Sequence, residues 1–372
     1  MKLTKEQALY CAKFMEDYYH HFDRIDDYMR SQKLGQIAEL PAHLPGMGPE
    51  EDLFSDFSIH PNDMNFEIVN IGSTRWWDYI TIISSHLISR AVPGRCIQFA
   101  VYETNTKKIV GFIRLGSPVI NMKPRNEMLG QVFTQTKEAA RNFNNTTAMG
   151  FTIVPAQPFG FNYLGGKLLA AMCCSHELRE IMNKKYKMNL CLFETTSLYG
   201  SSKAVSQYDG MKPYLRFKGL TDSNFVPMLD GDAYKKLKDY VEEATGEQLI
   251  DPTDSSKKLK ATLKVISMVK VALKGEPQLA RFNEVIDKAK SLTERKRYYI
   301  SNYGFKNFID VVNGKDTELV PDPENYDKFY MKNIVEWWKK KATSRFETLQ
   351  QEGRIRNEME VWSSNKDIDI IR

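Results

Sequence analysis

The chain has 372 residues, 42% of them hydrophobic, 12% aromatic and 27% charged, with a formal charge of +5. This composition excludes a disordered or fibrous chain, can fill two or three cores, and is compatible with nucleic acid without proving it. Five scattered cysteines without metal-ligand spacing argue for reduced thiols in a cytoplasmic setting. The start MKLTKEQALYCAKF lacks a signal-peptide apolar run, and no stretch of ~18 apolar residues predicts a membrane span.

Thr4 to Met29 reads as a helix, with Thr4 as N-cap and Ala8, Ala12, Phe14 and Met15 on its apolar side. The His20–His21 pair is either a solvated helix face or part of a metal site, which would need ligands from elsewhere. Residues 34–62 are broken by Gly35, Pro41, Pro45, Gly46, Gly48 and Pro61, so a long loop is expected, a lid or a wrapping arm. WWDYITIISSHLISRAV, from Trp76, reads as a core helix. After Pro93-Gly94, CIQFAVYE and IVGFIRLGSPVI form a hairpin around TNTKK. Arg114, inside the second strand, is either an edge charge or a cleft-facing one. MKPRNEMLGQVFTQTKEAARNFNN, which contains Arg125, reads as a short helix with loops.

The central stretch is GFTIVPAQPFGFNYLGGKLL. An apolar strand ends at Val154-Pro155. A loop with Gln157, Gly160, Asn162, Gly165 and Gly166 follows, and a helix opens at Lys167. Strand, glycine loop and helix start can offer free backbone N–H groups to an anion; the same glycines can also serve only tight packing. MNLCLFETT reads as a buried strand ending in Glu194, SLYGSSKAVSQYDGM as a loop with a short helix containing Tyr208, and YLRFKGL as a strand. From Gly231 onward the pattern is helical. The expected organisation is an N-terminal helical segment (1–92), an α/β core of mixed strand directions (93–228) on which the N-terminal helix packs, and a basic helical region (229–372).

That last region is asymmetric in charge, with about twenty basic and about eleven acidic residues from Ser255 to Arg345. Lys257, Lys258 and Lys264 share a basic helix, and Arg295 and Arg297 alternate with aromatics in TERKRYYISNYGFKNF. Cations for phosphates beside rings for bases suit nucleic acid; a helix with core rings and solvated charges reads the same way. There is no GxxxxGK[ST], HExxH, G-x-S-x-G or paired CxxC, and no metal is expected.

Between about Arg95 and Gly219, the blocks IVGFIRLGSPVI, PRNEMLGQ, NNTTAMGFTIVP, LGGKLLA and CLFETTSLYGSS together resemble the DruA-type family of the Druantia anti-phage system and of phage genomes. The hairpin, the strand ending near Pro155 and the loop Gln157-Pro158-Phe159-Gly160-Phe161-Asn162 also resemble the GNAT acyltransferase fold, with Asn162 where that loop has Gly or Ala. This second resemblance implies a GNAT-like mixed sheet with flanking helices and an acyl-CoA-type donor held by Val154, Gln157, Gly160, Asn162, Gly165 and Gly166. It also implies Glu194 as base and Tyr208 as acid toward the leaving thiolate. The acceptor would be a nucleobase or a protein amine, with Arg114, Arg125 and the basic residues above meeting substrate or nucleic acid. The alternative is a non-catalytic module on a degenerate GNAT fold that binds DNA or other phage or defence proteins.

Overall fold

A computed structural model of the chain describes residues 1–20, 25–41, 46–72, 76–84, 94–130, 133, 136–197, 206–221, 229, 231–251, 257–291 and 296–363. Its first elements are α1 (Lys5–His20), α2 (Ile25–Ala38), α3 (Pro49–Asp52), β1 (Phe66–Asn70), α4 (Trp77–Ile83), β2 (Cys96–Glu103) and β3 (Lys108–Gly116). Then come α5 (Lys123–Leu129), α6 (Lys137–Thr146), β4 (Thr147–Pro155), α7 (Phe159–Tyr163), α8 (Gly165–Met172), α9 (His176–Tyr186), β5 (Leu192–Ser197) and β6 (Arg216–Leu220). The last are α10 (Gly231–Thr245), α11 (Lys257–Ala272), α12 (Gln278–Ser291), β7 (Arg297–Ser301), α13 (Phe308–Val312) and α14 (Met331–Gln351). They form two units, Met1–Glu39 with Ser223–Glu294, and Leu40–Asp222 with Arg295–Arg372.

The first unit is helical. α1 buries Ala8, Cys11, Ala12, Met15 and Tyr19, the three-and-four spacing of one helix face. That face packs against α10, α11 and α12, so the N-terminal helix, expected on the α/β core, is part of this unit's own core. α11 turns Ala261, Val265, Ile266 and Val269 inward and leaves Lys257, Lys258, Lys260 and Lys264 exposed.

The second unit is built on a seven-stranded sheet in the order β1-β2-β3-β4-β5-β7-β6. All neighbours are antiparallel except β4 and β5. This is the expected mixed sheet with flanking helices. Successive strand residues point to opposite faces, and β3 shows which helices cover which face. A Cβ built on Gly111 would meet Leu169 of α8 at 2.6 Å, while Phe112 packs on Trp76 and Arg114 on Trp77, at the start of α4. Thus α8 covers one face and α4 the other. α14 packs along α7 and α8, burying Ile334, Trp338, Ala342, Phe346 and Leu349.

Four local expectations change. β1 was not anticipated; Phe66–Asn70 completes the antiparallel edge by pairing with β2. The central glycine loop is helical: α7 and the first turn of α8 occupy it. The stretch 34–62, read as one loop, holds the end of α2 and α3, and Leu53 bridges to Ile109. Among the described elements after Gly231 all are helical except β7, where RYYIS joins the sheet instead of continuing a charged helix, and irregular chain fills 313–325 and 352–363. The core helix read from Trp76 to Val92 is described only as far as Ser84; the rest lies outside the described residues.

Candidate functional site

In an open sheet, ligands bind beyond the carboxyl ends of parallel strands at the point where neighbours part. Here that point is the β4–β5 pair. The two strands are in register from Thr147↔Leu192 to Gly150↔Thr195, and Thr195 Oγ1 donates to Gly150 O at 3.0 Å. Beyond it, Thr152–Pro155 pairs only with β3, and Thr196 and Ser197 only with β7. The central stretch opens directly from this junction.

Four amides of the loop, from Gly160 to Leu164, are engaged within the chain. Gly160 N–H donates to Ala156 O, Phe161 N–H to Gln157 Oε1, Asn162 N–H to Pro158 O, and Leu164 N–H to Gly160 O. A Cβ on Gly160 would meet Gln157 Nε2 at 2.4 Å and Pro155 Cγ at 2.8 Å; one on Gly165 would meet the Phe159 ring at 2.6 Å; one on Gly166 would meet Gln207 Oε1 at 2.5 Å. These glycines admit neighbouring protein groups. A pyrophosphate in the expected place would find the amides of Gly160, Phe161 and Asn162 taken. The C-terminal tail adds to this. Asn162 Nδ2 donates to Arg356 O at 2.8 Å, Arg356 N–H returns to Asn162 Oδ1 at 3.1 Å, and Glu360 N–H donates to Gln157 O at 3.0 Å. Arg356 also lies 3.8 Å from the Phe161 ring centroid. Val154 is buried in β4.

Glu194 sits in β5 with no exposed surface. Arg125 Nη1 reaches its two carboxylate oxygens at 3.0 and 3.2 Å, and Tyr298 Oη donates to Oε2 at 2.7 Å. Arg125 is equally buried, bonded to Val119 O and Ile120 O and stacked 4.3 Å from the Phe143 ring centroid. Burial pushes the Glu194 carboxyl up, and Arg125 and Tyr298 oppose this. Burial, followed by the charge of Glu194, raises the Tyr298 hydroxyl. The cluster ties α5 to β5 and β7 and leaves the carboxylate no open side.

Tyr208 approaches β7 from the opposite face, edge-on to Tyr299 with centroids 5.5 Å apart. Beside it, Asp209 accepts from Tyr299 Oη at 2.8 Å and from Arg297 Nη2 at 3.2 Å, and Lys167 Nζ donates to Asp209 O. Burial favours the neutral form of Asp209, but the Ser206 amide, Tyr299 and Arg297 outweigh it and hold the carboxyl below its usual range. Because Tyr298 and Tyr299 are consecutive, Glu194 and Tyr208 lie on opposite faces of the sheet. The expected base and acid therefore do not share a reaction centre.

The expected nucleic-acid residues are dispersed. Arg114 is buried against Trp77, 4.6 Å from the ring centroid, and Arg297 is tied to Asp209. Lys257 and Lys258 are exposed on α11, and Lys264 donates to Leu249 O at 2.8 Å. Arg295 and His21 lie outside the described residues. Among the described residues no cluster of three or more His, Cys, Asp or Glu could hold a metal, and no helix is long and apolar enough to cross a membrane.

Sequence reasoning missed a basic hollow beside the start of α8. Lys167 from α8 faces Lys340, Lys341, Ser344, Arg345 and Thr348 of α14, with Leu164 at its edge. The available signal was the KKKATSR run, whose offsets of one, four and five residues place Lys340, Lys341, Ser344 and Arg345 on adjoining parts of one helix side.

Residues 55–211, from just before β1 to beyond Asp209, match the family model described as Druantia protein DruA. The curated Druantia protein DruA of Escherichia coli (strain UMEA 4076-1) is 26% identical over 164 residues, 40% of this chain. The match spans 39% of that protein's length. No solved structure matches. β1 to β5, together with the Arg125–Glu194 pair, thus lie in a segment that is similar to DruA-type proteins, while β6 and β7 lie outside it.

Proposed function

We propose that this chain acts in phage or anti-phage biology as a DruA-type protein whose mixed-sheet core, a degenerate GNAT-like fold, serves binding instead of acyl transfer, with DNA as the partner. The observation that carries this reading is the placement of Glu194, sealed by Arg125 and Tyr298 on the face of β7 opposite Tyr208. A general base must come within hydrogen-bond reach of its proton. The DNA part rests on the row of exposed lysines on α11, with Ala261, Val265 and Val269 turned inward.

The test has two arms. Mass spectrometry of acceptor amines incubated with the chain and acetyl-CoA should show no acylated product. A turnover abolished by Glu194→Gln would overturn the reading. DNA affinity should fall steeply with salt, and Lys257→Glu, Lys258→Glu and Lys264→Glu together should weaken it for all sequences alike. Unchanged retention would remove DNA as the partner. A second reading, acyl transfer, is favoured by one feature: the order of hairpin β2–β3, β4 ending at Pro155, and α8 opening at Gly165 beside a parting parallel pair is that of the acyltransferase resemblance.

A further inference from the structure

The hollow between α8 and α14 has a volume of about 460 Å³, within the ~300–1,000 Å³ range of small-molecule sites. It is shallow and largely open to solvent, with Lys340, Lys341, Ser344 and Thr348 exposed, and is lined by three lysines, one arginine and two hydroxyl residues, with no carboxylate among them. Outside the lining, Asp209 acts on Lys167 and Glu352 on Arg345. Lys339, just outside the lining, pairs with Glu336, but among the described residues Lys340 and Lys341 form no ion pair, and Lys167 gives its hydrogen bond to a backbone oxygen, Asp209 O. Arg345 is braced, 4.7 Å from the Phe161 ring centroid, and Lys341 lies 5.6 Å from the Trp337 centroid. Burial and then the charge of Lys341 lower the Lys167 ammonium, a sign that like charges are held together here.

Four cations converging on one hollow repel each other unless an anion joins them. An arginine fork matches phosphate oxygens in pairs, and lysines take them as point charges. The hollow admits more than a single phosphate, and the cations come from two sides, Lys167 from α8 and the rest from α14. We propose that it binds a small ligand carrying a diphosphate. Lys167, Lys340, Lys341 and Arg345 hold its oxygens, and Ser344 donates its hydroxyl hydrogen, while the Thr348 hydroxyl donates to Ser344 O at 2.8 Å. Side chains make this site, not the engaged amides of the central loop. It goes beyond the function proposed above and holds whether or not α11 meets DNA.

The probes are inorganic pyrophosphate, ADP and AMP, titrated calorimetrically into the full chain at fixed salt. Pyrophosphate and ADP should bind saturably, ADP about tenfold tighter than AMP. The exposed pair Lys340→Gln/Lys341→Gln should weaken ADP at least about tenfold, since each charged hydrogen bond contributes on the order of 1.5–3 kcal/mol, with an unchanged thermal midpoint. Lys332→Gln, on the same helix outside the hollow, should leave ADP binding unaltered. No saturable heat at millimolar pyrophosphate or ADP would overturn the site. So would equal losses in Lys332→Gln and the double variant, or a DNA duplex that needs Lys340 and Lys341 and is not displaced by pyrophosphate.

Discussion

The second unit holds two clusters of charge that solve opposite problems. Around Glu194, one carboxylate and one guanidinium lie in a dry interior with their hydrogen bonds supplied by Tyr298, Val119, Ile120 and Asn126. Around Lys167, four cations share a wet hollow with no carboxylate lining it. The first cluster is complete without a ligand; the second has no carboxylate in its own lining. A perturbed ionisable group in the middle of a fold is therefore no guide to function by itself. What distinguishes a site from a clasp is whether the surrounding protein has already answered the charge.

Removing one partner from the complete cluster should have the largest effect. Arg125→Met leaves a buried, uncompensated carboxylate, and the expected loss is about 3–5 kcal/mol. All five tryptophans lie in the second unit, so urea unfolding followed by tryptophan fluorescence reads that unit alone. Replacing both partners, Arg125→Met with Glu194→Leu, should restore most of the stability. If the single and double variants lose equally, the pair is not the clasp described.

The glycines sharpen the same contrast at a smaller scale. Gly165→Ala drives a Cβ toward the Phe159 ring at 2.6 Å and Gly160 Cα at 3.1 Å, and should destabilise by roughly 1–3 kcal/mol. Gly166→Ala meets only the movable end of Gln207 and should stay within about 0.5 kcal/mol. A reversed order in the unfolding midpoints would mean that the loop packs differently.

The pH responses of two carboxylates should differ in sign. The Glu194 carboxyl is raised from 4.5, so the folded chain keeps that proton longer than the unfolded one. Its contribution to stability therefore falls as pH rises from about 4.5 through the folded value. Asp209 is held below 3.8, so its contribution is present above that value and is lost as pH falls through the folded one. Unfolding midpoints across pH, taken as wild type minus Glu194→Gln and wild type minus Asp209→Asn, should slope in opposite directions. Parallel curves would break the distinction.

The parts of the fold legible in the sequence were those fixed by local pattern. The β2–β3 hairpin, the strand into Pro155, the helix after it and the lysine face of α11 each announce themselves through alternation, β-branched content or helical spacing. What was hidden depends on distant partners. RYYIS could not be read as β7 without β5, whose Glu194 pairs with Ile300 across more than a hundred residues. Glu194 looked available because Arg125 and Tyr298 come from other elements, and Asn162 looked free because Arg356 reaches it only after α14 has crossed α7 and α8. The lysines of α14 were visible as a run; that Lys167 faces them was not.

The interruption between β6 and β7 has a consequence for how the chain is made. β7 lies between β5 and β6 in the sheet, yet Ser223–Glu294 separates it from β6 in the chain. At roughly 5–20 residues per second, β6 leaves the ribosome about 4–15 seconds before the strand that joins it to the sheet. Through that interval β5 has an open edge, and Glu194 and Arg125 meet without the Tyr298 hydroxyl. α10, α11 and α12 emerge during the same wait and find α1, made first, already present. The helical unit can therefore finish folding before the sheet does, and closure by β7 is the late event in which this protein is most exposed to aggregation and to proteases.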